Sequence, residues 1–171
     1  ASDVYKRQLT VGYSVPVASG VHGQVVSFCD GSDVTVSLFA DGSAESKYTV
    51  SVPGGTKDSS GQYTTTYDIP GVAPGTYTMQ VSKKNHVTRE YTVTVSGDAV
   101  TQDVKIHLMG DINGDGRISI GDINQANLHA KGKKILLGYE LACADINGDG
   151  RVTTSDVNKM NLHNKGKSLL W

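Results

Sequence analysis

The residues best suited to chemistry stand near the end of the chain, in "DINGDGRISIGD" (Asp111 to Asp122) and "DINGDGRVTTSD" (Asp145 to Asp156). Counted from its first Asp, each stretch carries Asp at positions 1, 5 and 12, Asn at 3, Gly at 6 and a hydroxyl at 9. Alternating carboxylates and amides in a tight turn offer hard oxygen donors to one centre, the D-x-[DN]-x-[DN]-G pattern of a calcium loop. The spacing predicts one Ca2+ per loop, two ions in all. Loop 1 would supply Asp111, Asn113, Asp115, the carbonyl of Arg117 and Asp122, with Ser119 acting through water. Loop 2 would supply Asp145, Asn147, Asp149, the carbonyl of Arg151 and Asp156, with Thr153 in the place of Ser119. Gly116 and Gly150 fall where such a loop turns sharply. The alternative, two Asx/Gly turns that bind nothing, does not explain why the same ligand types recur at the same positions. The aliphatic residues at position 8, Ile118 and Val152, are expected to pair the loops through a short β-bridge.

The loops belong to a longer repeat. Asp111–Leu137 aligns without gaps on Asp145–Trp171, with 16 of 27 paired positions identical, a period that marks duplicated supersecondary units. "DINQANLHAKG" and "DVNKMNLHNKG" read as helices stopped by Gly132 and Gly166. A short linking helix is expected at "GYELACA". Ordinary EF-hands end the loop with Glu and begin with a helix. Both copies here end in Asp, and loop 1 follows "QDVKIHLMG", which alternates like a strand. Loop then helix, duplicated, with Asp at position 12, resembles a dockerin over Gly110–Trp171. That resemblance implies a calcium-folded module whose partner is a cohesin domain on a cellulosome-type scaffoldin or cell-surface protein. It also implies a partner surface at loop positions 10 and 11 and on the following helix. Those residues are Thr154, Ser155, Asn161, Leu162 and Lys165 in repeat 2, and Ile120, Gly121, Asn127, Leu128 and Lys131 in repeat 1. Pseudo-twofold symmetry would bring Leu108 or Met109 to Leu169, Leu170 and Trp171, clasping the module shut.

Upstream, the chain changes character. Seven β-prone runs ("GQVVSF", "DVTVSLFA", "SKYTVSVP", "GQYTTTYDI", "GTYTMQVS", "TREYTVTV" and "QDVKIHL") are separated by Gly, Pro, Asp and Asn. This is the signature of an all-β sandwich of about seven strands, Ig- or prealbumin-like. The stretch from "YDIPGVAPGTYTMQV" through "SKKNHVTREYTVTVSG" resembles the carboxypeptidase regulatory-like, transthyretin-like sandwiches. The expected organisation is an extension over 1–8 outside the fold, a sandwich over 9–108, and a small all-α dockerin with two EF-hand-like loops over 109–171.

Composition narrows the function. Net charge is −1, giving no electrostatic pull toward nucleic acid or membrane surfaces. No run approaches the roughly 18 apolar residues of a membrane span. Without an initiator Met or a signal-peptide pattern, the chain reads as a processed product or a fragment. Residues 109–171 hold 8 basic and 7 acidic groups. Six of those acids are the proposed ligands, so the loaded module would present a basic surface. Cys29 and Cys143 read as two separate buried thiols, although their pairing cannot be decided from spacing. His129 and His163 occupy equivalent repeat positions and are explained by duplication. His22, His86 and His107 are scattered, and no nucleophile or zinc motif occurs. Tyr63 and Tyr67, four apart on one strand, share a face that would suit either core packing or a sugar platform. The expected function is a non-catalytic, extracellular or cell-surface adaptor, monomeric when free, with the sandwich as spacer. The alternatives are a calcium-stabilised stalk or a carbohydrate-binding module without a cohesin partner.

Overall fold

A computed structural model describes residues 19–171; the expected extension over 1–8 and the first residues of the 9–108 unit lie outside the described residues. Alternation of apolar and polar residues makes the strands. In β2 (Val34–Ala40), Val34, Val36 and Leu38 point inward and are fully buried, while Thr35 and Ser37 between them are not. β2 lies between β3 (Ser46–Val52) and β6 (Gly75–Lys83), and β7 (Arg89–Val95) completes an antiparallel sheet of order β3-β2-β6-β7.

The facing sheet is built on β1 (Gly20–Ser27), paired antiparallel with β5 (Tyr63–Pro70) from Gly20↔Pro70 to Ser27↔Tyr63. Its other edge carries two short parallel strands, β8 (Val100–Thr101) and β9 (Val104–Lys105), while β4 (Thr56–Lys57) borders β5. The chain between β8 and β9 approaches Gly23 so closely that a Cβ there would lie 2.2 Å from the Gln102 carbonyl oxygen. Only glycine admits that approach. Val21, Val25, Tyr67 and Ile69 from this sheet meet Val36, Leu38, Met79 and Val81 from the other in one core cluster.

Among the described residues, nine strands therefore stand where about seven are expected. The additional ones are two-residue pairings, and "QDVKIHL" contributes only Val104–Lys105 plus an isolated bridge between Leu108 and His86. Tyr67 is 3% exposed and its hydroxyl donates to the Gln102 carbonyl at 2.8 Å, while the Lys83 ammonium stands 5.0 Å from the Tyr63 ring centre. The two tyrosines make no open sugar platform, because the face they share is the inner one. Cys143 is buried and Cys29 is exposed, and both thiols are free. Cys29 is not the buried thiol expected: its backbone takes φ 73° in the turn after β1, which leaves it outside the core.

After β9 come three helices, α1 (Ile120–Ala130), α2 (Gly138–Ala144) and α3 (Thr154–Asn164). They enclose a second core of Ile112, Ile118, Ile123, Ala126, Leu136, Cys143, Ala144, Val152, Val157 and Met160. The two cores meet at a polar junction. Tyr139 of α2 donates to the Val87 carbonyl at 2.7 Å and accepts from the His107 N–H at 2.9 Å. The Arg89 guanidinium lies over the Tyr139 ring at 4.6 Å and donates to the Lys105 carbonyl at 2.6 Å.

Candidate functional site

Each acidic loop is folded by its own side chains. In loop 1, the N–H groups of Gly114, Asp115 and Gly116 donate to the Asp111 carboxylate at 2.8, 3.1 and 2.8 Å. Asn113 Oδ1 accepts from the Asp115 N–H at 2.9 Å, and Asp115 accepts from the Arg117 N–H at 3.0 Å. Asp122 reaches back from α1 to accept from the N–H groups of Ile112 and Asn113 at 3.0 and 3.1 Å. Loop 2 repeats the scheme around Asp145, Asn147, Asp149 and Asp156. Gly116 and Gly150 take φ 87° and 83°, in the left-handed region that favours glycine.

The hydroxyls at position 9 have a role besides the water-mediated ligation expected of them. Ser119 and Thr153 are the N-caps of α1 and α3, each in a capping box with the Asp three residues on. The helices consequently start at Ile120 and Thr154, two residues before Asp122 and Asp156. Their other ends stop as expected, with Gly132 and Gly166 at φ 67° and 63°. Among the described residues, no β-bridge joins Ile118 to Val152. Both side chains are instead buried in the shared core, so packing joins the loops where a backbone ladder was expected.

Two of the loop carboxylates are shifted, in opposite directions. Asp111 is fully buried, and burial first, with the charges of Asp122 and Asp115 beside it, raises its carboxyl to about 6. Burial also acts to raise Asp156, but hydrogen bonds from Thr153 and Asn147 outweigh it, and its carboxyl sits below the ordinary value. No three His, Cys, Asp or Glu side chains among the described residues form a metal cluster by themselves. A hard cation would need a mixed set including the Asn113 and Asn147 amides and the backbone carbonyls of Arg117 and Arg151. The donor chemistry fits: the Asp and Asn side chains at positions 1, 3, 5 and 12 all offer oxygen, and a buried carboxylate beside two more is stabilised by a cation.

The predicted partner residues lie on the outside. Ile120 is 67% exposed, Leu128 40% and Leu162 41%. Gly121, Lys131, Thr154, Ser155 and Lys165 are exposed, and Asn127 and Asn161 half-buried. Leu170 packs on Gly110, 3.5 Å from where a Cβ would stand, and Met109 lines a groove with Leu169 and Leu170. Of the expected clasp, Leu170 and Trp171 pack against the helical core while Leu169 stays 68% exposed. What motif reading missed is the use of the repeated histidines. His129 Nδ1 accepts from the Leu136 N–H at 2.9 Å and His163 Nδ1 from the Leu170 N–H at 3.1 Å. Their equivalent positions were the available signal.

Residues 109–163 match the family model of the dockerin type I domain, about a third of the chain. No curated protein matches the chain. Two crystal structures of type II cohesin–X-dockerin complexes from Acetivibrio cellulolyticus are similar to it, one an N-terminal and the other a C-terminal interface mutant. Their identities are 21% and 20%, each covers 85% of this chain and 94% of the matched chain, and both TM-scores are 0.38.

Proposed function

We propose that the chain is a non-catalytic adaptor in which residues 109–171 bind a cohesin and the sandwich over 9–108 acts as spacer. The observation that carries this reading is the coincidence of the dockerin match with a duplicated loop–helix unit. Calcium held in both loops would draw position 12 of each helix against positions 1, 3 and 5 of its loop. Asp122 and Asp156 already link those parts by hydrogen bonds. The loaded module would leave Lys131, Lys133, Lys165 and Lys167 beside the exposed Leu128 and Leu162, a surface suited to an apolar patch flanked by acids. Anchoring would take place outside the cell, on a scaffoldin or at the cell surface.

A second reading, a calcium-stabilised stalk without a partner, draws support from the junction through Tyr139, Val87 and His107. Calorimetric titration of the chain with type I and type II cohesins, in calcium and in chelator, separates the two. Calcium-dependent binding to one class is expected for the adaptor. Absence of binding to every cohesin, with calcium still bound, would leave the stalk.

A further inference from the structure

The two acidic loops are alike in their own geometry and unlike in their surroundings. Position 1 accepts three backbone N–H groups at 2.8, 3.1 and 2.8 Å in loop 1 and at 2.9, 3.2 and 2.7 Å in loop 2. Yet a Cβ on Gly114 would stand 2.4 Å from His107 Nε2, and one on Gly116 would stand 2.3 Å from Phe28 Cδ1. The same atoms on Gly148 and Gly150 would meet nothing within 4 Å. The sandwich therefore presses two rings onto the turn of loop 1 and leaves loop 2 free.

Both rings are themselves held. Phe28 is 3% exposed, its N–H donates to His86 Nε2 at 3.0 Å, and its carbonyl accepts from Lys83 Nζ at 3.3 Å. His107 packs edge-on to Tyr139 with ring centres 5.1 Å apart. A cation would leave loop 1 as its carboxylates swing outward, and the Asp111 carboxylate is tied to the N–H groups of Gly114 and Gly116, so its motion draws on the glycine turn. In loop 2 that motion meets solvent. In loop 1 it must part from two packed rings, and giving up that packing raises the barrier to release.

The geometry points to Phe28 and His107 as positioning residues that make loop 1 the slow-exchanging calcium site and loop 2 the fast one. This rests on the calcium reading proposed above. The test is stopped-flow mixing of the full calcium-loaded chain with a fluorescent chelator. Two phases of equal amplitude are expected, separated by about tenfold or more in rate, which corresponds to about 1.4 kcal/mol in barrier. Asp149→Ala should remove only the fast phase. Phe28→Ala should accelerate the slow phase toward the fast one and leave the fast phase unmoved, which general destabilisation would not do. His107→Ala and Phe28→Leu repeat the test with smaller changes should Phe28→Ala fail to fold. Equal release rates in the parent chain, or a slow phase unmoved by these changes, would overturn the inference and leave the calcium reading standing. Release of no calcium would overturn both.

Discussion

At the scale of the residue, Asp122 and Asp156 carry two duties that substitution can separate. Each accepts loop N–H groups and also closes a capping box with Ser119 or Thr153. Asn in that place keeps an acceptor but removes the charge a cation needs. Asp122→Asn is therefore expected to weaken calcium binding while sparing much of the helix. Asp122→Ala should weaken binding and also cost the folded module about 1 kcal/mol through the lost cap. Calcium titration beside thermal melting at calcium saturating for each variant distinguishes them; equal melting of the two variants would deny the cap its part. His86 provides the pH dependence. Burial first, and the Lys83 and His107 charges after it, lower its pKa from 6.5 to about 4, against opposing pulls from the Lys84 carbonyl and Asp30. The unfolded chain takes up that proton first as pH falls. Stability tied to the neutral ring is thus full above pH 6.5 and lost as the pH drops toward 4, by at most about 1.4 kcal/mol per unit. Melting temperatures at pH 7 and pH 5 should differ less in His86→Gln than in the parent chain.

At the scale of the element, the tail after α3 repeats the segment after α1. Each is drawn back by a histidine that accepts the N–H of a leucine seven residues on. Leu136 is 1% exposed and Leu170 only partly buried, and Trp171 closes over His163 with ring centres 4.6 Å apart. Removing 169–171 should lower the melting temperature of the calcium form by several degrees, on the order of 2 kcal/mol for one aliphatic side chain returned to water. His163→Ala should do the same more weakly, and an unchanged melt in both would deny the tail a structural role. Strands and helices of this kind were legible because their periodicities come from the sequence itself. Alternation identified the long strands, and Gly132, Gly166 and "GYELACA" marked the helices. Less legible were features set by tertiary approach. Thr56–Lys57 and Val100–Thr101 form strands only because an edge stands beside them. The early start of α1 and α3 was present in the residues as S-x-x-D and T-x-x-D, but the same hydroxyls also fit a loop ligand pattern. Nothing in the residue types announced that Phe28 and His107 cover Gly116 and Gly114. Phe28 follows β1 directly, so the rest of the sandwich separates it in sequence from the loop it covers.

At the scale of the whole molecule, the two cores predict unequal responses to metal removal. The sandwich core holds fifteen buried apolar side chains and no acidic loop, so chelation should leave it folded. The helical core is smaller and is bordered by two loops with three Asp each, so chelation should melt it; circular dichroism with unchanged helix content would contradict this. The same asymmetry bears on how a cohesin would be met. The helix faces are nearly equal, with Leu128 and Leu162 exposed to within 1% of each other, and they would permit two orientations related by the pseudo-twofold. Positions 10 and 11 are not equal. Thr154 and Ser155 offer two hydroxyls, whereas Ile120 and Gly121 offer an exposed apolar side chain and none. A cohesin shaped to hydrogen-bond hydroxyls leaves those partners unsatisfied when turned onto repeat 1, at a cost of about 1–3 kcal/mol. Loop 1 also adjoins the sandwich through Phe28, while loop 2 stands clear. Both differences favour one orientation, centred on Thr154, Ser155 and α3. Alanine at Thr154 and Ser155 together should therefore weaken cohesin binding by about tenfold or more, and Ile120→Ala by much less. Equal losses would indicate two orientations of similar strength, and a larger loss from Ile120→Ala would place the dominant one on repeat 1.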